Sequence, residues 1–267
     1  MKYLSAVLGL LCAALWSAEA AAQDGMISAK ARRWRAEISG DLKVDDNGVG
    51  GSDLNVSSTL GLNDKEDFDE FHATLGLPLL GKFNFQYLTG TYTGTRTLTS
   101  DITYAGTTYS ATSNNQIHTD VDIKSYTLLW QFGASTPGII GASVGAGGLA
   151  GLKYFDIVTA VDDDQGNHES VDIRAPVPVV GAYVRTALAS FLFVEAQVHG
   201  LKIPGNLAQG LSGNFYDATI ALDAKISTFY AGIGYRLFHF EVKYESGSDV
   251  NANVDLKGIF FEVGLSF

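Results

Sequence analysis

The sequence predicts an all-β fold: a transmembrane, antiparallel, up-and-down barrel of about ten strands, with eight or twelve as the alternatives. Three observations predict it. Apolar and polar residues alternate with period two along most of the chain, the signature of strands with one apolar face. The chain opens with a charged start, a short apolar run and a small-residue exit, the pattern of an export signal. The connections between the alternating stretches are short and long by turns, matching short periplasmic turns and long extracellular loops.

At the amino terminus, Lys2 is followed by an apolar run from Tyr3 to Trp16, then Ser17-Ala18-Glu19-Ala20-Ala21-Ala22. Residues 1–22 are predicted to be a signal peptide, leaving 23–267 as one barrel domain. The apolar run is shorter than the roughly 20 residues a spanning helix needs. Cys12, the one cysteine, lies inside that signal, so the mature chain has no disulfide framework and no Cys metal site. No cofactor is expected. The net charge is −11, which disfavours nucleic acid as a partner because phosphate binding needs basic patches.

Taken in order, Trp34, Ala36, Ile38, Gly40 and Leu42 alternate with Arg35, Glu37, Ser39, Asp41 and Lys43. The expectation is a first strand with the apolar set facing lipid and the charged set facing the lumen. Residues 45–67 read as a long loop. A second strand runs from Phe68 to Leu77 and turns at Pro78-Leu79-Leu80-Gly81. The third carries Phe83, Phe85 and Tyr87 on one face, continued by Thr89, Thr91, Thr93, Thr95, Thr97 and Thr99. This ladder suggests a strand leaving the membrane near Thr89 as an extracellular ribbon, turning around Ala105-Gly106-Thr107. The fourth strand has Tyr126, Leu128, Trp130 and Phe132 outward, while Val121 and Ile123 have the opposite parity. That change predicts a bulge near Lys124-Ser125.

The fifth strand runs from Ile139 to about Val158. The sixth, Val171 to Leu188, is weakened by Pro176 and Pro178, since proline removes a ladder donor. Leu192 to His199 forms the seventh, with Glu195, Gln197 and His199 inward. Residues 203–214 read as a loop. An eighth strand from Phe215 to Leu237 changes parity between Leu222 and Phe229, which suggests a second bulge. Phe238-His239 is a tight turn, and the ninth strand has Phe240, Val242 and Tyr244 outward with Glu241 and Lys243 inward. Residues 245–256 read as a loop before the closing strand, Ile259 to Phe267. Trp34, Phe83, Phe132, Phe191, Phe238 and Phe267 all fall at short-turn ends, predicting one aromatic girdle at the periplasmic interface.

The signal, the alternating strands and the Phe267-terminated closing strand resemble the small Gram-negative outer-membrane barrels of the OmpA, OmpX and OmpW type. The resemblance implies that Phe267 is the signal read by the barrel-assembly machinery. It further implies that outer-membrane lipid and lipopolysaccharide surround the barrel and that both termini lie in the periplasm. Ten strands also match the omptin proteases and the OpcA adhesin. No omptin-like pairing of Asp-Asp with His-Asp is found on matching strand ends, so no catalytic site is carried over.

The candidate chemistry lies in the lumen. Arg35, Glu37, Asp41, Lys43, His72, Glu195, Gln197, His199, Arg236, Glu241 and Lys243 are predicted to point inward as a charge network. A barrel near eight strands is filled by side chains, so a closed plug is the leading expectation and a narrow porin-like pore the alternative. Asp162, Asp163 and Asp164 form a weak Ca²⁺ candidate, without the EF-hand spacing. Tyr92, Tyr104 and Tyr109 are candidate contact anchors for an extracellular ligand. The leading function is a non-enzymatic barrel serving envelope structure or surface adhesion; a lipid- or peptide-modifying enzyme is the second alternative.

Overall fold

The protein is described here from a computed structural model, which describes residues 26–46, 48–136, 143–208, 211–246 and 248–267. The proposed signal peptide, 1–22, and the Pro137 connection lie outside them. Ten long strands close into one barrel: β1 (Ile27–Asp46), β3 (Lys65–Leu77), β4 (Gly81–Thr97), β7 (Gln116–Thr136), β8 (Val144–Asp163), β9 (His168–Ala189), β10 (Leu192–Ala208), β11 (Leu211–Ile226), β12 (Phe229–Ser246) and β13 (Ser248–Ser266). Three short strands belong to the long loops: β2 (Leu54–Asn55), β5 (Ile102–Tyr104) and β6 (Thr107–Tyr109). Each long strand pairs antiparallel with its neighbours in sequence, and β13 returns to β1. Closure gives every long strand a partner on both sides, the condition for strands to cross lipid, and the β9–β10 ladder is incomplete, ending at Gly200↔Val180 among the described residues.

Most strands are much longer than a membrane requires. A tilted spanning strand takes about 9–11 residues, whereas β1, β7 and β8 have 20, 21 and 20. The surplus projects beyond the membrane at the long-loop end. Its boundary is marked on the outer wall by Tyr87, Tyr126 and Tyr154, which lie side by side on β4, β7 and β8 with ring centroids 5.0 and 6.4 Å apart. Amphipathic rings of this kind favour the lipid–water interface. On the short-turn side of that row the outer face carries Phe71, Leu75, Phe85, Leu128, Trp130, Val184, Ile220, Ile233, Phe261 and Val263, all exposed. On the other side the same outward positions become Thr91, Thr93, Thr95, Asp120, Asp122, Arg33, Arg35 and Asp69, also exposed.

The inward positions change in the opposite sense. Lys30 and Arg32 on β1 give way to Trp34, Ala36 and Ile38, all buried. Thr127 on β7 gives way to Ile123, Val121 and Ile117. The backbone does not change phase: the β4–β7 register runs unbroken from Lys82↔Gln131 to Thr97↔Gln116. The bulge predicted near Lys124-Ser125 is therefore absent. The change of pattern there is a change of solvent, from lipid to water.

The second predicted bulge is a hairpin. Between Leu222 and Phe229 the chain turns at Ser227, with φ +57°, and Ile226 pairs with Phe229. Consequently Phe238-His239 is not a turn but the middle of β12, and residues 248–256, read as loop, are strand β13. Residues 203–208 and 211–214 are likewise strand rather than loop. Trp34 and Phe238 leave the predicted girdle, because both are buried in the lumen. Phe132, Phe191 and Phe267 do face out, at 41, 52 and 69 % exposure.

The boundary makes a testable contrast. Val263→Lys, in the outer belt, should lower stability by about 2–4 kcal/mol. Thr91→Lys, on the outer wall beyond the tyrosine row, should change it by no more than about 0.5 kcal/mol. Urea unfolding of vesicle-reconstituted protein, followed by tryptophan fluorescence, measures both.

Candidate functional site

Two layers fill the lumen, and their order along the axis follows from the solvent change. Within the membrane belt the inward positions carry charge. Arg32 reaches Glu262 through Nε and Nη2 at 3.0 and 2.8 Å, and Glu70 through Nη1 at 3.1 Å. Arg236 reaches Asp217 through Nε and Nη2 at 2.9 and 2.6 Å, and the other oxygen of Glu70 through Nη1 at 3.0 Å. Lys153 donates to Asp217 at 3.0 Å, and Lys30 to Glu262 at 2.8 Å. Asp223 lies 3.6 Å from Lys30. Four acids and four bases balance. Two of these bonds join strands three apart rather than neighbours, β12 to β3 and β8 to β11. The fork-to-fork pair of Arg236 with Asp217 fixes geometry as well as charge.

His72 and His199 border this cluster, with Nε2 3.2 Å from Glu70 and 3.7 Å from Asp217. Beneath it, toward the short turns, a polar vestibule of about 680 Å³ is lined by Lys30, Arg32, Asn84, Arg185, Glu195 and Gln197 among others. Above it lies an aromatic layer. Arg236 sits 4.7 Å from the Trp34 ring and Arg32 3.9 Å from Phe260, while Lys153 lies 5.2 Å from Phe238. Cation–π contact of this kind is stronger where water is excluded.

Beyond the aromatics the lumen is apolar up to the mouth, where the long loops fold inward. The β5–β6 hairpin crosses the opening. Tyr104 donates to the Thr159 carbonyl at 3.1 Å and Tyr109 to that of Val161 at 3.0 Å. Thr103 and Ser52 exchange two hydrogen bonds of 2.9 Å. Tyr92, on β4, donates to the Ala36 carbonyl at 2.8 Å. These three tyrosines are buried, so they are structural and not the exposed anchors the sequence predicts. The ribbon is instead barrel wall, paired with β7 as far as Thr97, followed by the hairpin.

Of the predicted lumen charges, the structure places Arg236, His199, Glu195, His72 and Gln197 inside. Arg35, Glu37, Asp41 and Lys43 face outward, opposite the buried Trp34, Ala36 and Ile38. Glu241 and Lys243 also face outward, because Phe240 and Val242 are buried. All six lie beyond the tyrosine row, where the outer wall meets water. The expectation fails because it takes the outer wall there to face lipid. Sequence reasoning missed Lys30, Arg32, Glu70, Lys153, Asp217, Asp223 and Glu262. The available signal was parity: Glu262 lies between the lipid-facing Phe261 and Val263.

The three aspartates do not form a cation cage. Asp162 pairs with His168, and Asp164 with His118 at 3.5 Å. Asp163 accepts hydrogen bonds from Asn115, Gln165 and Asn167 between 2.8 and 3.0 Å, which ties the hairpin loop to the β8–β9 connection. Burial raises the Asp163 carboxyl, but these hydrogen bonds outweigh it and hold the group below its ordinary value. No group of three or more possible metal ligands occurs among the described residues. His118 lies between Thr95, at 3.1 Å, and Asp164, the order of a hydrolytic triad. All three side chains are exposed on the outer wall, where solvent surrounds them rather than the enclosed, water-excluding geometry such a triad works in.

The closed barrel, its apolar outer belt and its charged lumen define an outer-membrane β-barrel protein. No protein-family model matches the chain, and no curated protein matches it. Among solved structures it is similar to the translocator domain of the autotransporter NalP from Neisseria meningitidis, at 14% identity and TM-score 0.42 over 100% of this chain and 98% of that one. It is also similar to the transport unit of the autotransporter AIDA-I from Escherichia coli, at 14% identity and TM-score 0.41 over 91% and 90%. The outer membrane protease OmpT from Escherichia coli matches at 8% identity and TM-score 0.43 over 90% and 97%. These likenesses are of general architecture, and nothing is argued from them.

Arg236→Ala leaves Glu70 and Asp217 buried without their main partner and should cost about 3–5 kcal/mol. Arg33→Ala, which removes an exposed, solvent-screened pairing with Asp67 and Asp69, should leave the urea midpoint nearly unchanged; urea titration separates the two. Asp163, held low in the folded state, contributes stability that is present above its unfolded pKa and lost as pH falls through the folded value. Protease cleavage within 98–115 should therefore rise on acidification below the ordinary carboxylate range, and Asp163→Asn should flatten that dependence.

Proposed function

We propose that this is a non-enzymatic, non-conducting barrel that serves the cell envelope as a rigid, surface-projecting structural element. One observation carries the reading: the cross-lumen ion-pair cluster of Arg32, Glu70, Arg236, Asp217, Lys153 and Glu262 fills the barrel section within the membrane. Side chains in it are at most 7 % exposed, which supports a lumen closed to ions. A ten-stranded barrel is near the size that side chains fill. In this reading the short turns and both termini face the periplasm. The projecting wall and its loops face outward amid lipopolysaccharide, and Phe267 serves the assembly machinery. The burial of Tyr92, Tyr104 and Tyr109 favours a structural role over adhesion through the hairpin.

Planar-bilayer recording tests it. The folded, heat-modifiable protein should give no discrete current steps. Reproducible steps from such protein overturn the proposal in favour of a pore.

A further inference from the structure

The polar vestibule at the short-turn end carries a charge pattern that the ion-pair cluster does not use up. Its interior is about 70 Å³, or about 680 Å³ with its open mouth included. One water needs roughly 10–15 Å³, so the interior takes a small polar group rather than a whole large ligand. Ser28, Lys82 and Arg185 stand at the mouth, near the short-turn ends of β1, β4 and β9. Arg32 and His72 lie at the closed end, against the cluster. Every described lining residue has a polar group. Lys30, Arg32, Lys82 and Arg185 are cationic, and Glu195 is the one carboxylate among them.

The carboxylates that pair with the deeper cations are placed behind them. Glu262 accepts from Lys30 and Arg32, and Glu70 from Arg32, yet neither acid lines the vestibule. Arg32 has five N–H donors, and three are directed at these two acids. Lys30 has three donors; one reaches Glu262 at 2.8 Å, and the ammonium lies 5.2 Å from the Tyr230 ring. Arg185 lies 3.9 Å from Glu195, its cross-strand neighbour. Gln86, 5 % exposed, and Gln197 add amide groups to the walls. The cluster itself is neutral. The vestibule adds Lys82 and Arg185 against Glu195, and Lys225 lies beside it, 5.2 Å from the same Tyr230 ring. With histidines neutral, three cations against one carboxylate leave a surplus of two positive charges among the described side chains. Low-dielectric walls focus such a field on the cleft they enclose.

We propose that the vestibule binds one small oxyanion, a carboxylate or phosphate group, which enters from the short-turn end and is held among Lys30, Arg32, Lys82 and Arg185. The planar forks of Arg32 and Arg185 match both kinds of group. The cluster makes the vestibule a dead end, so the anion binds without crossing; in this the inference rests on the closed lumen proposed above.

Flow dialysis of the folded barrel against radiolabelled phosphate and radiolabelled succinate, at low ionic strength, tests it. At least one should bind saturably, and the one that does identifies the source of the group; saturable binding of neither overturns the site. Lys82→Gln and Arg185→Gln, both outside the cluster, should each weaken that binding about tenfold in barrels that stay heat-modifiable. Glu195→Gln, which removes the carboxylate, should tighten it about threefold. Lys65→Gln, on the outer wall, should leave it unchanged. Parental affinity in Lys82→Gln and Arg185→Gln, or an equal loss in Lys65→Gln, overturns the site, and binding no tighter in Glu195→Gln overturns its placement beside Arg185. Residues 23–267 contain no cysteine, so Ser28→Cys and Ser113→Cys variants each take a single label. A bulky maleimide on Ser28→Cys, at the mouth, should abolish binding, and one on Ser113→Cys, in the hairpin loop, should not. The reverse result overturns entry from the short-turn end. Current steps in a bilayer alongside retained binding overturn the closed lumen and leave the anion site standing; silent bilayers without binding do the opposite.

Discussion

Every strand of this barrel passes through two solvents, and that constraint orders the rest of the structure. In lipid the outer wall must be apolar and polar groups can be satisfied only inward. In water the outer wall is polar, and the hydrophobic effect drives the apolar residues inward instead. Strand parity cannot change midway without breaking the ladder. The two faces therefore exchange character at the tyrosine row while the backbone continues in register. Charged lumen below and apolar lumen above are consequences of one rule applied on either side of one boundary.

The charged layer is the demanding half of that arrangement. Removing a carboxylate or guanidinium from water costs several kcal/mol, and attraction offsets it only with good geometry and full hydrogen bonding. Glu70 meets the condition by giving one oxygen to Arg32 and the other to Arg236. Asp217 meets it with Arg236 and Lys153. Because Arg236–Glu70 and Lys153–Asp217 each join strands three apart, the cluster braces the barrel as well as filling it. The aromatic layer above excludes water from its upper side. At the far end the hairpin is fastened over the apolar section by tyrosines that donate to β8 carbonyls.

Much of this was legible in residues. Period two marks the strands, and it places Glu195, Gln197 and His199 inward, where the structure has them. The misreadings share one cause. Trp34, Ala36 and Ile38 look identical whether they face lipid or a dry lumen, so β1 was turned inside out together with Arg35, Glu37, Asp41 and Lys43. Phe240 and Val242 misled in the same way and took Glu241 and Lys243 with them. At Lys124-Ser125 a change of environment mimicked a bulge. At Ser227-Thr228 a true hairpin hid behind the same signature, because neither residue announces a turn as Gly or Asn would.

The sequence by itself determined the architecture: an antiparallel barrel with alternating short and long connections, since alternation and turn spacing are local properties of the chain. It also required an interior of mixed charge, because lipid tolerates none outside. Only the tertiary structure decided where along each strand the membrane ends, and therefore which face of β1 and β12 is the inner one. It alone brought Glu70 between Arg32 and Arg236, folded the tyrosine hairpin over the mouth, and ended the β9–β10 ladder at Gly200↔Val180. Those outcomes depend on contacts between distant strands, whose partners no local pattern specifies.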